Sequence, residues 1–457
     1  MYGRSEQGDL QYCALAHPVD LRGLHRLAPE RYPFLLQSTA SGPPLGRYDI
    51  LFASPGPALE LLGDGNLQGA GKSTARGFLA ALDEWWRAER RPAEDTGLPF
   101  TGGWFLFLGY ELAAEIEPTL RLRADNVLPA ALAVRCRAAI IVDHLEQRAC
   151  WIAEVEAQAD YAQALADIES VNDAGHAAWS GRKVHAPLEE PPQDFLQAVA
   201  SVREYIAAGD IYQANLSRGW QASVDAQLSP DEVYAALCTA NPAPFAGLAR
   251  WRDKSIISSS PERLVEVRSG AVSTRPIAGT RPRSADSELD DSLSRELFAH
   301  PKERAEHIML IDLERNDLGR ICEPGTVEVD EMMALESYAH VHHIVSNVRG
   351  LLRSDVTPGE VVRAVFPGGT ITGCPKVRCM EIIAELEAEA RGAYTGSFGY
   401  LNRDGSLDLN ILIRTIVMEK DVLTLRAGCG IVADSEPEAE LEETRAKAAG
   451  LLEALGA

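Results

Sequence analysis

The chain lacks an excess of basic residues. Its 457 residues include 67 acidic side chains against 44 lysines and arginines, which gives a formal net charge of −23. Binding to nucleic acid or to an anionic membrane depends on a basic surface, so we expect neither as a partner. Apolar runs are short, and none approaches the roughly 20 residues that a membrane-spanning helix needs. Residues 1–6 contain no basic segment followed by an apolar core, which argues against a secretory signal.

Paired cysteines are also missing. Eight cysteines are scattered along the chain, and none forms the Cys-x-x-Cys pair that is typical of zinc or thioredoxin-like sites. Reduced thiols fit this distribution, and the sequence therefore predicts a cytoplasmic protein. The composition itself, with 46% hydrophobic and 24% charged residues, is that of an ordinary globular protein.

The strongest change in composition lies at about residues 172–193, where turn and linker residues gather. We place an N-terminal region, residues 1–180, before it and a larger region, residues 193–457, after it. Strand and helix patterns mix without strict alternation, which predicts an α+β fold with large antiparallel sheets. The predicted strands cover residues 34–36, 48–52, 103–108, 130–134, 139–142, 255–258, 264–268, 393–401 and 410–417. The predicted helices cover residues 73–88, 160–171, 194–208, 301–318, 377–387 and 436–455.

One glycine-rich segment resembles the end of a nucleotide-binding loop. It reads Gly69-Ala70-Gly71-Lys72-Ser73-Thr74. The phosphate cradle needs Gly-x-x-x-x-Gly-Lys-Ser/Thr after a buried strand, whereas Asn66 stands at the position of the first glycine. We interpret the segment as a loop that enters a helix at about Ser73. The alternative is ATP binding, which an equilibrium titration would test.

Two predicted helices carry glutamates at helical spacing. Glu303 and Glu306 share one face, and Glu440, Glu443 and Lys447 share another near the end of the sequence. Spacing alone fits either two solvated acidic faces or a hard divalent cation held between two helices. In the second case Lys447 pairs with the carboxylates or meets an anionic group of a substrate.

Several other residues are candidates for binding an anion. Residues 367–376 are dense in turn residues and precede a predicted helix, and such a helix start suits an anion. Arg414 is predicted inside an apolar strand, where it needs either a ligand carboxylate or an internal ion pair. The glycines of Gly428-Cys429-Gly430 let backbone amides approach a ligand closely. His343, taken alone, is more typical of a structural histidine than of a catalytic one.

Together these residues resemble the chorismate-binding enzyme family over about residues 194–455. The matching runs follow the family's order and are Arg275-Pro276-Ile277-Ala278-Gly279-Thr280-Arg281, Glu306-His307-Ile308-Met309-Leu310-Ile311-Asp312-Leu313, Arg315-Asn316-Asp317-Leu318-Gly319, Pro367-Gly368-Gly369-Thr370, Gly373-Cys374-Pro375-Lys376, Ile413-Arg414-Thr415 and Gly430-Ile431-Val432-Ala433-Asp434-Ser435. The resemblance implies a sandwich like that of anthranilate synthase component I, with two large, mostly antiparallel sheets and helices outside. It also favours the metal-binding interpretation of the glutamates.

The resemblance implies a Mg²⁺-dependent site for chorismate. Glu306 and Glu443 would hold the metal, and Glu303 and Glu440 would support it through water. The residues implied to bind the substrate are Arg414 and Tyr394 at the enolpyruvyl carboxylate, the amides near Gly428 and Gly430, and Thr370 and Lys447 in the same pocket.

The resemblance also implies the acid chemistry. Glu262, in Ser260-Pro261-Glu262, matches the family's general acid at the departing C4 hydroxyl, and His343 would lie close to that hydroxyl. Hydroxide is a poor leaving group that needs a proton and a metal-polarised ring. Burial near other carboxylates would raise the pKa of Glu262 and keep the acid protonated.

Gln213 indicates which reaction of the family is implied. Water-using members carry a lysine base there, whereas glutamine fits the ammonia-using anthranilate and aminodeoxychorismate synthases. The motifs that favour the aminodeoxychorismate type are Gly46-Arg47-Tyr48-Asp49-Ile50-Leu51, Asn241-Pro242-Ala243-Pro244-Phe245 and Asp408-Leu409-Asn410-Ile411. Ala278 opposes it, because many aminodeoxychorismate synthases have at this position a lysine implicated in attack on C2.

The function implied is therefore that of an aminodeoxychorismate synthase component I, which transfers ammonia onto chorismate for 4-aminobenzoate and folate synthesis. A separate glutamine amidotransferase subunit would supply the ammonia, because the chain has no recognisable Cys-His-Glu glutaminase. The alternatives are an anthranilate synthase component I and a non-catalytic subunit that binds chorismate or tryptophan. Residues 34–38 match the place where relatives hold tryptophan.

Overall fold

The structure is a computed structural model that describes residues 4–456 except 8–9, 17, 41–45, 71–75, 95, 175–183, 226, 285, 300 and 338–340. In chain order its strands are β1 (Arg4–Gln7), β2 (Leu10–Leu15), β3 (Phe34–Gln37), β4 (Tyr48–Leu61), β5 (Leu67–Gly69), β6 (Gly103–Leu108), β7 (Ala131–Asp143), β8 (Arg148–Glu154), β9 (Leu188–Glu189), β10 (Gln213–Ser223), β11 (Phe245–Trp251), β12 (Lys254–Ser260), β13 (Arg263–Arg268), β14 (Ala271–Thr274), β15 (Ile277–Pro282), β16 (Glu328–Ser337), β17 (Val341–Leu351), β18 (Gly373–Cys374), β19 (Ser397–Asn402), β20 (Leu407–Asn410), β21 (Thr415–Glu419) and β22 (Val422–Ile431). Its α-helices are α1 (Leu21–Leu27), α2 (Phe78–Glu89), α3 (Ala113–Ile116), α4 (Asp160–Ala174), α5 (Pro192–Ala207), α6 (Pro230–Ala240), α7 (Ser287–Ala299), α8 (Pro301–Gly319), α9 (Pro358–Val365), α10 (Lys376–Leu386) and α11 (Pro437–Ala454).

The strands pair antiparallel throughout the described residues and form two arms that share β4 and β7. The first arm runs in space β1-β2-β8-β7-β4-β3-β11-β12-β21-β22-β10. The second runs β5-β4-β7-β6-β19-β20-β13-β14-β17, with β15 and β16 also paired to β17. The α+β prediction, with large antiparallel sheets and helices outside, is confirmed.

The interior between the two arms is aromatic. Phe34 of β3 stacks on Phe105 of β6 with ring centroids 3.9 Å apart, and Phe52 and Phe398 meet the same ring edge-on or tilted. Outside the first arm, α1, α4, α6 and α11 bury their apolar faces on the sheet, and α2, α8 and α9 do so on the second arm. Stacking of rings from different strands adds to the area that each ring buries, so this layer fixes how the arms lie against each other.

β7 is one strand where the sequence predicts two, over residues 130–134 and 139–142. Twelve of its 13 residues are buried. Arg135 in its middle is 1% exposed and forms ion pairs of 2.6 Å with Glu89 and with Glu154. A buried arginine is tolerated when its donors are satisfied in this way, so the strand continues through Arg135.

The predicted strand over residues 410–417 is wrong. β20 ends at Asn410, β21 begins at Thr415, and Arg414 between them has a φ of 51°. The apolar residues Ile411 and Leu412 are buried in irregular chain. The left-handed conformation at Arg414 breaks the strand, and it turns this residue out of the sheet. The strand predicted from residue 393 likewise begins only at Ser397, after a turn.

Strands from both sides of residues 172–193 pair with one another. β3 pairs with β11, and β6 pairs with β19. The division into 1–180 and 193–457 stays a prediction. The segment with Lys72 and Ser73 lies outside the described residues, and the helix after it begins at Phe78. The part of the chain that the structure describes contains no helix long and apolar enough to cross a membrane.

Candidate active site

Glu262 lies in the turn between β12 and β13 and is 6% exposed. Its Oε1 accepts a hydrogen bond of 2.8 Å from the hydroxyl of Thr370. Burial raises the pKa of Glu262 to about 7, against the opposing effects of that hydrogen bond and of the charges of Lys447 and Arg414. A carboxyl of this kind is protonated in a large fraction of molecules at neutral pH, so it can donate a proton.

His343 lies on β17 and is 3% exposed. Its Nδ1 is 3.3 Å from the carbonyl oxygen of Gly279. A carbonyl can only accept, so Nδ1 carries the hydrogen and Nε2 keeps its lone pair. Burial, followed by the charge of Arg414, lowers the pKa of His343 to about 4. The imidazole is therefore neutral at pH 7.

Glu303 and Glu306, the candidate metal ligands on α8, each have a polar partner from a strand. Glu306 Oε1 accepts a hydrogen bond of 2.9 Å from Nε2 of Gln213 at the start of β10. Glu303 Oε1 is 2.8 Å from Nη1 of Arg281 on β15. The other oxygen of Glu303, Oε2, is buried without a hydrogen-bond partner among the described residues.

Glu440 and Glu443, the candidate metal ligands on α11, lie beside the strand β22. Glu443 Oε1 is 2.8 Å from Nζ of Lys447, and this ammonium also donates to the carbonyl oxygen of Gly428 at 3.0 Å. Glu440 Oε2 is buried without a hydrogen-bond partner in the described part of the chain. Burial first, and then the charge of Glu440, raises the pKa of Cys429 on β22. These contacts place the acidic face of α11 against β22.

Two glycines of β22 lie next to residues that contact the candidate glutamates of the two helices. Gly430 lies next to Gln213, which contacts α8, and Gly428 accepts a hydrogen bond from Lys447 of α11. β10 pairs with β22, and a Cβ at Gly430 would lie 2.3 Å from Nε2 of Gln213. A Cβ at Gly428 would lie 2.7 Å from the hydroxyl of Tyr394. Any side chain at either position would displace its neighbour, so glycine lets Gln213 and Tyr394 reach the pocket.

Arg414 lies close enough to Glu262 and His343 for its charge to lower the pKa of both groups. Its Nη1 donates to Oδ1 of Asn241 at 3.3 Å, and no carboxylate within 4 Å forms an ion pair with it among the residues described. Burial lowers the pKa of Arg414, and the charge of Glu262 opposes that shift. The internal ion pair that the sequence left open is therefore not formed, and donors remain for a ligand carboxylate.

The predicted site residues thus lie in one connected cluster, and their roles stay predictions. Three His, Cys, Asp or Glu groups close enough to form a ready metal site do not occur within the described ranges. In this arrangement Arg281, Gln213 and Lys447 each contact one of the acids. The buried, unpartnered carboxylate oxygens on both helices nevertheless fit a hard cation, which prefers such ligands.

Sequence reasoning missed two neighbours of the cluster. Arg281 belongs to a matching family run, and Asn241 to a motif used only to compare activities, so neither had a role assigned. Both contacts join segments far apart in the chain. The available signal was that Glu303 and Arg414 are charged residues expected to be buried, because a buried charge needs a polar neighbour.

Besides the candidate site, the structure has a second cavity of about 590 Å³, and none of the candidate site residues lines it. All three motifs that favour the aminodeoxychorismate type contribute to its lining. The contributing residues are Arg47, Tyr48, Ile50, Pro244, Phe245, Asp408 and Asn410. Leu36 and Gln37, from the segment where relatives are expected to hold tryptophan, line the cavity as well. Ala278, in contrast, lies on β15 next to Gly279, whose carbonyl contacts His343.

Comparison with known proteins agrees with this geometry. Residues 47–453 match the family model described as chorismate binding enzyme. An anthranilate synthase component I-like protein of Synechocystis sp. is 46% identical over 364 residues, 78% of this chain and 73% of the relative. The aminodeoxychorismate synthase component 1 of Bacillus subtilis is 36% identical over 95% of this chain and 94% of its own. The crystal structure of anthranilate synthase component I from Streptococcus pneumoniae superposes with a TM-score of 0.78 at 32% identity, covering 90% of this chain and 93% of that one.

The fold and these matches define a chorismate-using enzyme of the anthranilate and aminodeoxychorismate synthase type. The chain belongs to the chorismate binding enzyme family.

Proposed function

We propose that this chain is an aminodeoxychorismate synthase component I. It adds ammonia to chorismate with Mg²⁺ and gives 4-amino-4-deoxychorismate and water. The observation that carries the chemistry is the buried, hydrogen-bonded carboxyl of Glu262, whose pKa of about 7 suits a general acid.

Glu262 supplies the proton that the departing C4 hydroxyl needs, so that water leaves instead of hydroxide. Thr370 holds one oxygen of this carboxyl by its 2.8 Å hydrogen bond. Ammonia forms the new C–N bond, and the proton that its nitrogen then loses returns to the ionised Glu262. Neutral His343, with the lone pair of Nε2, accepts a hydrogen bond beside the same hydroxyl.

The substrate is a dianion and needs positive partners. Arg414, which keeps donors for a ligand, and Tyr394 bind the enolpyruvyl carboxylate with the amides near Gly428 and Gly430. Glu306 and Glu443 would hold Mg²⁺, and Glu303 and Glu440 would support it. The metal would supply the positive charge that binds the ring carboxylate and polarises the ring.

A glutamine amidotransferase subunit is the proposed source of ammonia. Two observations support this partner. Gln213 donates to Glu306 and cannot act as the base that a water-using enzyme needs, and the relatives are named as components of synthases. We expect glutamine to support turnover only when the partner subunit is present, whereas ammonium supports it with this chain alone.

Anthranilate synthase is the second candidate, and Ala278 favours it. Alanine offers no nucleophile at a position beside Gly279 and His343, so the covalent route through C2 is closed. The motifs that favour the first candidate line the remote cavity and therefore bear on what that cavity binds more directly than on which carbon receives ammonia.

The experiment that tests the proposal is a product assay. The purified chain is supplied with chorismate, Mg²⁺ and ammonium, and the product is identified by chromatography with and without an aminodeoxychorismate lyase. We expect 4-aminobenzoate only when the lyase is added. Anthranilate as the product would establish the second candidate. No turnover with ammonium, or with glutamine plus the partner, would favour a non-catalytic subunit.

A further inference from the structure

Arg281 on β15 is a basic side chain that bridges an inner and an outer carboxylate. Its Nη1 lies 2.8 Å from Glu303 Oε1, and its Nε donates to Glu296 Oε1 on α7 at 3.1 Å. The side chain of Glu303 is 18% exposed, that of Glu296 is 58% exposed, and that of Arg281 is 20% exposed. The guanidinium therefore lies between Glu303, which is mostly buried, and Glu296, which is exposed to solvent.

The inner carboxylate is only half satisfied by this pair. Glu303 Oε2 is buried and has no hydrogen-bond partner among the described residues. A Cβ at Gly279 would lie 2.3 Å from that oxygen, so the backbone of β15 covers it closely. An ionised oxygen that has lost water without gaining a partner is costly, and a bound cation or its water ligand would remove that cost.

We propose that Arg281 competes with Mg²⁺ for Glu303. In the metal-free protein Arg281 neutralises Glu303, and when the metal binds, the guanidinium gives up Glu303 and keeps Glu296. The inference rests on the proposed function, in which Glu303 supports the metal. Because Glu296 remains as a partner, the exchange leaves no guanidinium without a carboxylate, and the mostly exposed position of Glu296 makes the new arrangement easy to hydrate.

The other two partners of the acids differ in kind from Arg281. Gln213 is a neutral amide, so it can stay hydrogen-bonded to Glu306 while a cation binds the carboxylate. Lys447 is half exposed and has a second acceptor in the carbonyl of Gly428. Arg281 alone of the three sets a full positive charge against the unsatisfied inner glutamate.

Metal affinity tests the proposal directly. Mg²⁺ is titrated into the purified full chain in a calorimeter, with wild type, Arg281→Gln and Arg283→Gln. Arg283 is the matched control, because it lies two residues away on the chain and pairs with Asp290 of α7 at 2.9 Å. We expect Arg281→Gln to bind Mg²⁺ more tightly by up to about fivefold, the upper range of a partly exposed ion pair, and Arg283→Gln to match wild type.

Thermal unfolding supplies a second measurement. In EDTA, Arg281→Gln should unfold at a lower temperature than wild type, and added Mg²⁺ should raise its unfolding temperature by more. If Arg281→Gln does not fold, Arg281→Lys keeps the test available, because a point charge without the fork of the guanidinium binds Glu303 more weakly and should still increase Mg²⁺ affinity.

The outcomes separate this inference from the function on which it rests. Equal or weaker Mg²⁺ binding by a folded Arg281 variant overturns the competition and leaves the metal site standing. Absence of Mg²⁺ binding in wild type and in both variants overturns the metal site and the competition together.

Discussion

The acidic pocket, by which we mean the cluster of Glu262, His343 and the candidate glutamates of α8 and α11, differs from the second cavity in how its charged groups are stabilised. In the pocket, buried groups shift toward their neutral forms, as Glu262 and His343 show with pKa values of about 7 and about 4. In the cavity, charges are paired: Arg263 holds Asp408 through two bonds of 2.9 Å, and Arg275 pairs with Glu331 at 2.7 Å. Groups with shifted pKa values and few partners are typical of catalysis, and satisfied ion pairs are typical of a rigid binding wall.

The largest expected effect comes from removing an acid of the pocket. Glu443→Ala or Glu306→Ala should lower kcat/KM at least about 100-fold, because the metal's charge stabilisation is worth several kcal/mol. The control is Glu442→Ala, the adjacent residue on α11, which pairs with Arg445 and is 68% exposed. Wild-type magnesium dependence of steady-state rates in either pocket variant would reject the ligand assignment.

The next largest effect should come from removing the proton donor, Glu262. Glu262→Gln should lower kcat by about 10² to 10⁴, the usual contribution of a general acid. In wild type, Glu262 must be protonated, so kcat/KM should fall as pH rises through about 7 when free NH₃ is held constant across the series. Glu266→Gln, a carboxyl of the cavity wall, is the control, and it should leave the profile unchanged. A wild-type profile in Glu262→Gln would remove the acid from the mechanism.

A moderate effect on stability should arise from a buried acid of α8. Glu314 is 7% exposed, and burial, followed by the charge of Asp317, raises its pKa to about 8. The folded state then binds this proton more tightly than the unfolded state, whose pKa is near 4.5. Its contribution to stability is full below about pH 4.5 and is lost as pH rises toward 8.

Glu314→Gln removes this pH dependence. The free energy of unfolding of the variant, relative to that of wild type, should increase when the pH is raised from 5 to 8. We expect this increase to be about 1 to 3 kcal/mol, or a few degrees in Tm. Calorimetric scans at the two pH values measure the difference. A constant Tm offset would show that Glu314 is ionised in the folded protein.

The smallest effect is expected in the cavity. Phe245 lies under the guanidinium of Arg263, with 5.0 Å between the arginine carbon and the ring centroid. Phe245→Tyr, which adds one hydroxyl to this ring, should keep kcat within about twofold and should leave the product unchanged. Rate measurements with added tryptophan on the same variant sharpen the comparison. A change of product would show that the cavity and the pocket are not independent.

The sequence predicted those helices and strands in which apolar residues repeat at helical or strand spacing, and it predicted the motifs next to them. The helices with Glu303 and Glu443 begin and end close to where spacing and prolines predicted. The prediction gave two strands where β7 is one, and the segment between them contains Arg135, which is buried because of its partners Glu89 and Glu154, distant in the chain.

The contacts of the candidate site show the same limit. Gln213 and Glu306 are 93 positions apart, and their hydrogen bond depends on the glycine of a third segment at position 430. The left-handed φ of Arg414 is a local property, yet an apolar run gives no sign of it, because core packing and not strand pairing buries Ile411 and Leu412. Arg281 was missed as the partner of Glu303 because it lies on a different element, the strand β15, and no helical spacing connects the two residues.

The helix α11 has a consequence for how the enzyme matures. It forms after every strand of both arms has been synthesised, and it carries Glu440, Glu443 and Lys447. A nascent chain that extends only as far as β22 therefore contains the residues of every strand, Glu262 and the glutamates of α8, but not Glu440 or Glu443. Under the proposed function such a chain lacks two of the four acids for the metal, so we expect it to use chorismate only after α11 has been synthesised and packed onto β22.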